Sequence, residues 1–400
     1  MIDMPLNAIP PTTTVANLGE KMTASKGQCR VDVGFWGGVI PGNEVSLRRA
    51  AHGWQRARAL GAESLRQNDL VPLAKAGVKG FKCFLIESGV DEFPCVTEEE
   101  VLIAMLKLVV RPALPSNRQA QLNKLHQQEA SSLFLFHAEL DSRSPAHPTP
   151  SPSPAPPADA YSTFLSSRPE SLETSAIALV IRCAEQHPTL RTHIVHLSAA
   201  SALPLIRATR AKDLPLTVET CFHYLVLSSE QIAKGNTLYK CCPPIREEVN
   251  RDALWGALIA GDIDFVVSDH SPCTVELKRL EDGDFMKAWG GIGGLGLGLS
   301  LLWTEASKRG VGMSKVLEWV AEKPARQVRL EESKGSLKVG ADADFVVFDP
   351  AVTFTVRFCH SFWLPGFQCA RADAKVPRST SRSCTSRTAR VLMVRQPSTP

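Results

Sequence analysis

Residues 263–272 read IDFVVSDHSP, a short apolar run that ends in serine, aspartate and histidine before a proline turns the chain. Three earlier stretches have the same form: GFKCFLI at residues 80–86, LFLFHA at 133–138 and RTHIVHL at 191–197. Each predicts a strand, because a run of four to eight apolar residues bounded by polar turn residues is typical of a strand buried on both faces. Two further strands are predicted, at residues 28–35 and 216–220.

Helical patterns separate these strands, at residues 44–60, 98–110, 171–186 and 199–211. Thr97 precedes three glutamates, so we expect it to cap its helix, with the acids at the positive end of the helix dipole. Strands that alternate with helices indicate a parallel α/β architecture. Spread over about 330 residues, they fit a (β/α)8 barrel better than a short doubly wound sheet. In a barrel, the chemistry lies at the carboxyl ends of the strands.

The composition is that of an ordinary globular protein. The chain has 400 residues, of which 44% are hydrophobic and 22% are charged. No run of eighteen apolar residues occurs, so we expect no membrane span, and residues 1–5 lack the basic region and apolar stretch of a secretory signal. Eleven scattered cysteines without such a signal predict reduced thiols in a cytoplasmic protein.

Two segments differ in composition from the rest of the chain. Residues 145–157 (PAHPTPSPSPAPP) contain seven prolines, which predicts a surface insertion of flexible or polyproline-like conformation. Residues 357–400 carry a net charge of +7 within the total of +4, which leaves −3 for the remainder. We expect this basic tail to be disordered. The remainder has no basic stripe, so we expect no nucleic-acid partner.

These shifts divide the chain into three predicted regions. A barrel is predicted over residues 1–334 and the remnant of a small β-domain over 335–356, where a glycine turn precedes an apolar strand at Phe345–Asp349. The third region is the basic tail. The proline-rich insertion at residues 145–157 lies within the predicted barrel.

Four polar residues fall inside or at the end of the predicted barrel strands. Lys82 is either an edge lysine or a buried lysine that acts as a base, a Schiff-base partner or a carboxylated metal bridge. His137 and His196 are either core residues or metal ligands. Asp269 is either a turn residue or a metal-bound carboxylate that also accepts a proton from a metal-bound water. In a barrel, these four side chains would share one rim.

The sequence resembles the allantoinases, within the cyclic amidohydrolase family that also includes dihydroorotases and hydantoinases. The resemblance runs from residue 2 to residue 356, and DVGFWGG and FKCF point to allantoinases more than to their relatives. The matching stretches are IDMPLN (2–7), PPTTT (10–14), DVGFWGG (32–38), PGN (41–43), GFKCF (80–84), SGVDEFP (88–94), FHAE (136–139), HLS (196–198), VETCFHY (218–224), KCCPPIR (240–246), SDHSPC (268–273) and GSLKVGADAD (335–344).

The resemblance implies a metal-dependent enzyme that opens the hydantoin ring of allantoin to give allantoate. Lys82 would be N-carboxylated and would bridge two divalent metal ions, with zinc as the family's usual metal. His137 and His196 would bind the second metal, and Asp269 would bind the first metal and carry the proton. A carbamate can bridge cations as a carboxylate does, and two metals about 3.5–4 Å apart would lower the pKa of a bridging water.

The resemblance is less specific for the substrate contacts. Asn7, His223 and Cys242 are candidates, because the family binds the ring near the CCPP segment and the loop after the eighth strand. For each of them a turn or core contact explains the residue equally well. The family's frequent tetramers make a homotetramer the expected assembly.

The sequence departs from the family at both ends. The family's first barrel strand ends in a His-x-His pair that binds the more buried metal, whereas none of the ten histidines here forms an i, i+2 pair. We therefore expect strand 1 and half of the small β-domain to be absent, and little or no activity. After Val356 the resemblance stops. Both ends fit an incorrectly assembled gene model, a truncated pseudoenzyme or a functional variant.

Three functions compete at this point. The first is a metal-dependent allantoinase. The second is a non-catalytic member of the fold that acts as a subunit or scaffold. The third keeps the chemistry but acts on a dihydropyrimidine, another hydantoin or dihydroorotate.

Overall fold

A computed structural model of the chain describes residues 1–43, 69–109, 132–142 and 156–351, with the backbone of residues 353–355 and 385–387. The strands are β1 (Ile2–Asp3), β2 (Gly34–Phe35), β3 (Gly37–Gly38), β4 (Phe81–Phe84), β5 (Leu133–His137), β6 (Arg191–Ile194), β7 (Leu216–Cys221), β8 (Phe265–Val267), β9 (Thr353–Thr355) and β10 (Thr385–Arg387). The α-helices are Val15–Ser25, Leu70–Lys75, Glu98–Leu108, Tyr161–Ser167, Ser171–Gln186, Leu203–Arg210, Phe222–Val226, Glu248–Ala260, Val275–Lys278, Gly298–Lys308, Met313–Leu317 and Lys323–Gln327.

The central feature is a six-stranded parallel sheet in the order β3-β4-β5-β6-β7-β8. β1 pairs in parallel with β2, which Trp36 alone separates from β3. Within the six-stranded sheet each strand therefore lies beside its neighbour in the chain, and all carboxyl ends face the same side, as the sequence predicted for a parallel α/β architecture. Among the described residues, β8 pairs with β7 alone and β1 with β2 alone.

Local sequence accounts for the best-defined helices. Helix Glu98–Leu108 begins after Thr97, whose hydroxyl accepts a hydrogen bond from the Glu100 amide (3.3 Å) while the Glu100 carboxylate accepts one from the Thr97 amide (2.7 Å). This capping box is the predicted helix start. The buried residues Val101, Ala104, Met105 and Leu108 follow the i, i+3, i+4, i+7 spacing of an amphipathic helix.

Two predicted elements differ from the structure, and a third cannot be compared with it. The strand predicted at 28–35 is confined to Gly34–Phe35 and Gly37–Gly38, because residues 28–30 are polar or exposed and have no strand partner. The helix predicted at 199–211 divides into a 3-10 turn and an α-helix that starts at Leu203, where Pro204 suits a first helical turn. The helix predicted at 44–60 lies outside the described residues.

The carboxyl-terminal region departs further from expectation. The apolar strand predicted at Phe345–Asp349 is wrong, since this segment has no regular secondary structure. Phe345, Val346 and Val347 are each more than half exposed, because no described strand pairs with them. β9 and β10 form an antiparallel pair. The insertion predicted at 145–157 and the disordered tail predicted at 357–400 lie almost wholly outside the described residues and stay predictions.

Two further observations concern the described helices and cysteines. Within the described ranges, no helix combines the length and the apolar character that a membrane span needs. The eight cysteines in the same ranges are all free thiols.

Candidate metal centre

Lys82 lies on β4, where all four residues are buried, and its own exposure is 3%. Its ammonium nitrogen is 5.0 Å from the centre of the Phe84 ring. Burial lowers the pKa of Lys82, and the nearby carboxylates of Asp269 and Glu219 act against that shift. The pocket therefore favours the neutral amine, which is the form that can add to carbon dioxide.

His137 and His196 meet at the carboxyl ends of β5 and β6. His137 Nδ1 lies 2.9 Å from His196 Nε2, and the His137 ring stacks on Phe84 with centroids 4.4 Å apart. Both imidazoles are buried, and burial lowers both pKa values well below the ordinary range, with the other histidine and Lys82 adding to the effect at His196. Two neutral imidazoles therefore face each other beside Lys82.

Glu139 fixes the orientation of His137 and was not assigned a role from the sequence. Its Oε2 lies 2.8 Å from His137 Nε2 and accepts a hydrogen bond from the Arg168 guanidinium at 2.5 Å. A buried carboxylate on Nε2 makes that nitrogen the protonated one and leaves Nδ1 with a lone pair directed at His196. The signal was its position two residues after His137, whereas nothing local marked Arg168.

A second buried network holds the loop that carries His196. Glu173 accepts hydrogen bonds from the Ser198 amide (2.8 Å), the Ser198 hydroxyl (2.7 Å) and Arg246 (2.8 Å). Asn250 adds a bond from its side-chain amide to the Ser198 carbonyl at 2.8 Å. Glu173 and Arg246 are both buried, so water cannot hydrate either charge. Each group therefore depends on the other for its counter-charge.

Asp269 lies two residues after the end of β8 and is partly buried. Burial raises its pKa, and Lys82 opposes the shift. The Asp269 backbone has a φ of 42°, His196 has a φ of 45° and Asn7 has a φ of 59°. This left-handed conformation is uncommon for residues with a side chain, and here it occurs where the chain turns after a strand.

The three candidate substrate residues lie around the same rim. The Asn7 side-chain amide is exposed and donates to the Ser271 hydroxyl at 3.3 Å, beside the loop that follows β8. His223 is buried close to Asp269. Cys242 lines a cavity with Arg168, Lys240, Ile86, Asp141 and Met286, among others. Arg168 both lines this cavity and donates to Glu139, so the cavity adjoins the histidine pair.

Burial of His223 makes the metal-free protein acid-sensitive. Its pKa is lowered to about 3 by burial, whereas in an unfolded chain it would titrate near about 6.5. Between these values only the unfolded state binds the proton, so stability falls as the pH falls. We expect H223Q to flatten the pH dependence of the unfolding free energy by about 1.4 kcal/mol per pH unit between about pH 6 and pH 4. Urea denaturation at several pH values in a chelating buffer measures the unfolding free energy of both proteins. If the unfolding free energy depended on pH equally in the unmodified chain and in H223Q, the prediction would be wrong.

The donor atoms fit a divalent metal. In a tetrahedral zinc site with Zn–N distances near 2.0–2.1 Å, two nitrogen ligands are about 3.3 Å apart, close to the 2.9 Å between His137 and His196. His196 Nδ1 and His223 Nε2 are buried without a hydrogen-bond partner among the described residues. A buried lysine, neutral imidazoles and a carboxylate form a donor set of the kind that binds divalent cations.

Comparisons with known proteins relate the chain to a family and to a fold. The model of the Amidohydrolase family matches residues 165–375. Allantoinase from Saccharomyces cerevisiae is 44% identical over 88% of this chain and 66% of its own length. Allantoinase from Streptomyces avermitilis is 41% identical over 89% of this chain and 68% of its own. L-hydantoinase from Arthrobacter aurescens superposes with a TM-score of 0.67 at 23% identity, covering 89% of this chain and 69% of that one.

The chain therefore belongs to the amidohydrolase family, whose members generally use two divalent metal ions on a TIM-barrel fold. The curated relatives by sequence named above are allantoinases, and the predicted resemblance is confirmed. The parallel sheet is thus part of a barrel, as predicted. The chain spans about two thirds of the length of the curated relatives it matches.

Proposed function

We propose that this chain carries the site for hydrolysis of allantoin to allantoate. The observation that supports the proposal is that Lys82, inside β4, lies near His137 at the end of β5 and near His196 and Asp269, which follow β6 and β8, in a relative of allantoinases. Barrel enzymes place their catalytic residues at the carboxyl ends of the strands. The hydantoinase structure is 23% identical to this chain, whereas the Saccharomyces cerevisiae allantoinase is 44% identical. Allantoin is therefore better supported as the substrate than the alternative rings.

Two divalent cations, zinc in our proposal, would be held by this chain's residues. His137 and His196 would bind one cation through the two nitrogens that face each other, and Asp269 would bind the other. Lys82 would bridge them as its carbamate. When bound, the cations would supply a water of low pKa and a polarised ring carbonyl.

The residues would then move one proton and position the ring. Asp269 would accept a proton from the attacking water as the water oxygen bonds to the ring carbonyl carbon. The ring carbon–nitrogen bond would break, and Asp269 would return the proton to the leaving nitrogen. Asn7, His223 and Cys242 are the proposed substrate contacts, because they surround the same rim.

We propose that the residues of this chain supply fewer ligands for the first cation than the family does. We propose that the strand position between β8 and β1 is unfilled by this chain and that its small β-domain is partial. With no i, i+2 histidine pair in the sequence, Lys82 and Asp269 remain for that cation. We therefore expect turnover well below that of a full-length relative. The same observation favours a non-catalytic subunit as the second candidate.

One experiment separates these functions. The purified chain is loaded with zinc and bicarbonate, and its metal content is measured beside its hydrolysis of allantoin, dihydrouracil, hydantoin and dihydroorotate. Bound metal with slow, allantoin-selective ring opening is the expected result. Bound metal with preference for another ring would overturn the substrate, and the absence of both metal and turnover would support the non-catalytic subunit.

E139Q tests whether Glu139 orients the metal-binding histidine. The amide cannot provide the same charged acceptor to His137 Nε2 and Arg168, so His137 should lose its fixed tautomer. We expect zinc affinity to fall by about 10–100-fold, as for other outer ligand partners. Competition with a chromophoric chelator measures this. The matched control is E87Q, which should keep the zinc affinity of the unmodified chain. Glu87 lies in the loop after β4 and contacts Cys95 rather than a histidine. Equal affinities for E139Q and the unmodified chain would contradict the role.

We also propose a cytoplasmic location and a homotetramer. The free thiols suit a reducing compartment. Cell fractionation tests the location, and light scattering of the purified chain tests the tetramer. A different compartment or a monomer would contradict the respective proposal.

A further inference from the structure

We propose that Cys221, His223 and Asp269 form a metal site of their own, which binds a thiolate-preferring divalent cation such as zinc. The inference goes beyond the proposed function, because it requires no turnover of allantoin and no bridging by Lys82. The site shares Asp269 with the first cation of the proposed function, so the two cations would compete for this carboxylate. It assigns a ligand role to a cysteine that the allantoin chemistry does not use.

The geometry brings three different ligand types together. One ligand atom from each residue, a thiol sulfur, an imidazole nitrogen and a carboxylate oxygen, lies within 4.8 Å of the other two. In a tetrahedral zinc site with Zn–S near 2.3 Å, donors are about 3.3–3.7 Å apart. Modest rotations of these side chains would bring the donor atoms to that separation.

A second observation points to a ligand at this place. His223 is 5% exposed, and its Nε2 has no hydrogen-bond partner among the described residues. A buried polar nitrogen without a hydrogen-bond partner destabilises the fold. Because this nitrogen lies beside a thiol and a carboxylate, it indicates that a ligand binds here. A cation would satisfy the imidazole, the thiol and the carboxylate together.

The three residues lie at or just beyond the ends of two neighbouring strands, β7 and β8. Cys221 ends β7, and His223 follows in the first turn of helix Phe222–Val226. Cys221 pairs in register with Val267 of β8, two residues before Asp269. The site therefore depends on the junction of β7 and β8, not on the His137–His196 junction of β5 and β6.

The chemistry distinguishes this site from a centre of nitrogen and oxygen ligands. A thiolate favours zinc over magnesium, calcium or manganese. Binding would release the thiol proton to solvent as the metal–sulfur bond forms. Three protein ligands leave the fourth position of a tetrahedral ion for a water.

Cobalt(II) absorption tests the site without an activity assay. The metal-free chain is titrated with cobalt(II) chloride, and a thiolate-to-cobalt charge-transfer band in the near ultraviolet is expected. C221S should lose the band. The buried Cys183, on helix Ser171–Gln186, is the matched control, and C183S should keep it. Absence of the band in the unmodified chain, or its persistence in C221S, would overturn the proposal.

Two further variants keep the test decisive if C221S fails to fold. H223Q removes a direct ligand, so zinc affinity at this site should fall at least about 100-fold, beyond the range for outer partners. H137N should leave the cobalt band intact, because it alters only the histidine pair. Loss of the band in H137N, or unchanged affinity in H223Q, would overturn the proposal. If the chain does not hydrolyse allantoin, the cobalt band is still expected, so the two proposals can fail separately.

Discussion

Allantoin turnover is expected to fall to the background rate when Asp269 is replaced by asparagine. The amide is a poorer metal ligand and cannot take the proton from water, so a single substitution removes two roles. Loss of general acid–base catalysis alone costs about 10²–10⁴ in rate. A zinc-loaded sample assayed for allantoate formation measures the effect, with metal content determined on the same sample.

The matched control for this substitution is Asp252, an exposed carboxylate on helix Glu248–Ala260 that pairs with Arg309. D252N should keep the rate of the unmodified chain. Turnover that survives in D269N would show that another group carries the proton. Turnover of the unmodified chain as fast as that of a full-length relative would show that the missing histidine pair is dispensable here.

Replacement of Glu173 by glutamine should destabilise the fold by about 3–5 kcal/mol, because it leaves the Arg246 guanidinium buried without its counter-charge. The same change weakens the hydrogen bonds to Ser198 that hold the loop after His196. Urea denaturation measures the loss, and zinc affinity should fall with it. The double variant E173L/R246M should recover much of the stability, since it removes both buried charges.

Glu185 provides the control on the same helix. It pairs with Lys212 at 2.7 Å, and both side chains are exposed by more than 40%. E185Q should change the unfolding free energy by less than about 1 kcal/mol, as exposed ion pairs do. If E173Q were as mild as E185Q, the buried network would not be what stabilises the His196 loop.

The parallel architecture was predictable because its strands are continuous apolar runs. Four residues of β4 and five of β5 are all buried, so their patterns carried a clear signal. The short strands β1 and β3 were harder, since two residues leave no periodic pattern and both residues of β3 are glycines. The strand predicted at Phe345–Asp349 failed because strand propensity requires a partner, and none is described there.

The candidate site was predictable only in part. Lys82, His137, His196 and Asp269 stand at or beside strand ends, and the barrel rule brings such residues together. His196 lies beyond its strand, because β6 ends at Ile194, and its own backbone is left-handed. Arg168, Glu173 and Arg246 lie on loops and an outer helix, and only tertiary contacts reveal that their charges are paired. His193, on the same strand β6, stacks on Phe265 and bonds to Thr217.

The positive φ angles of His196 and Asp269 have a consequence for laboratory evolution. Glycine adopts this backbone conformation freely, whereas a residue with a side chain is strained there by about 1–2 kcal/mol. Selection for heat resistance alone should therefore favour glycine at both positions. The resulting proteins should unfold at higher temperature but should no longer bind metal at the rim. A library screened for thermal tolerance and then for zinc content would reveal this conflict between robustness and chemistry.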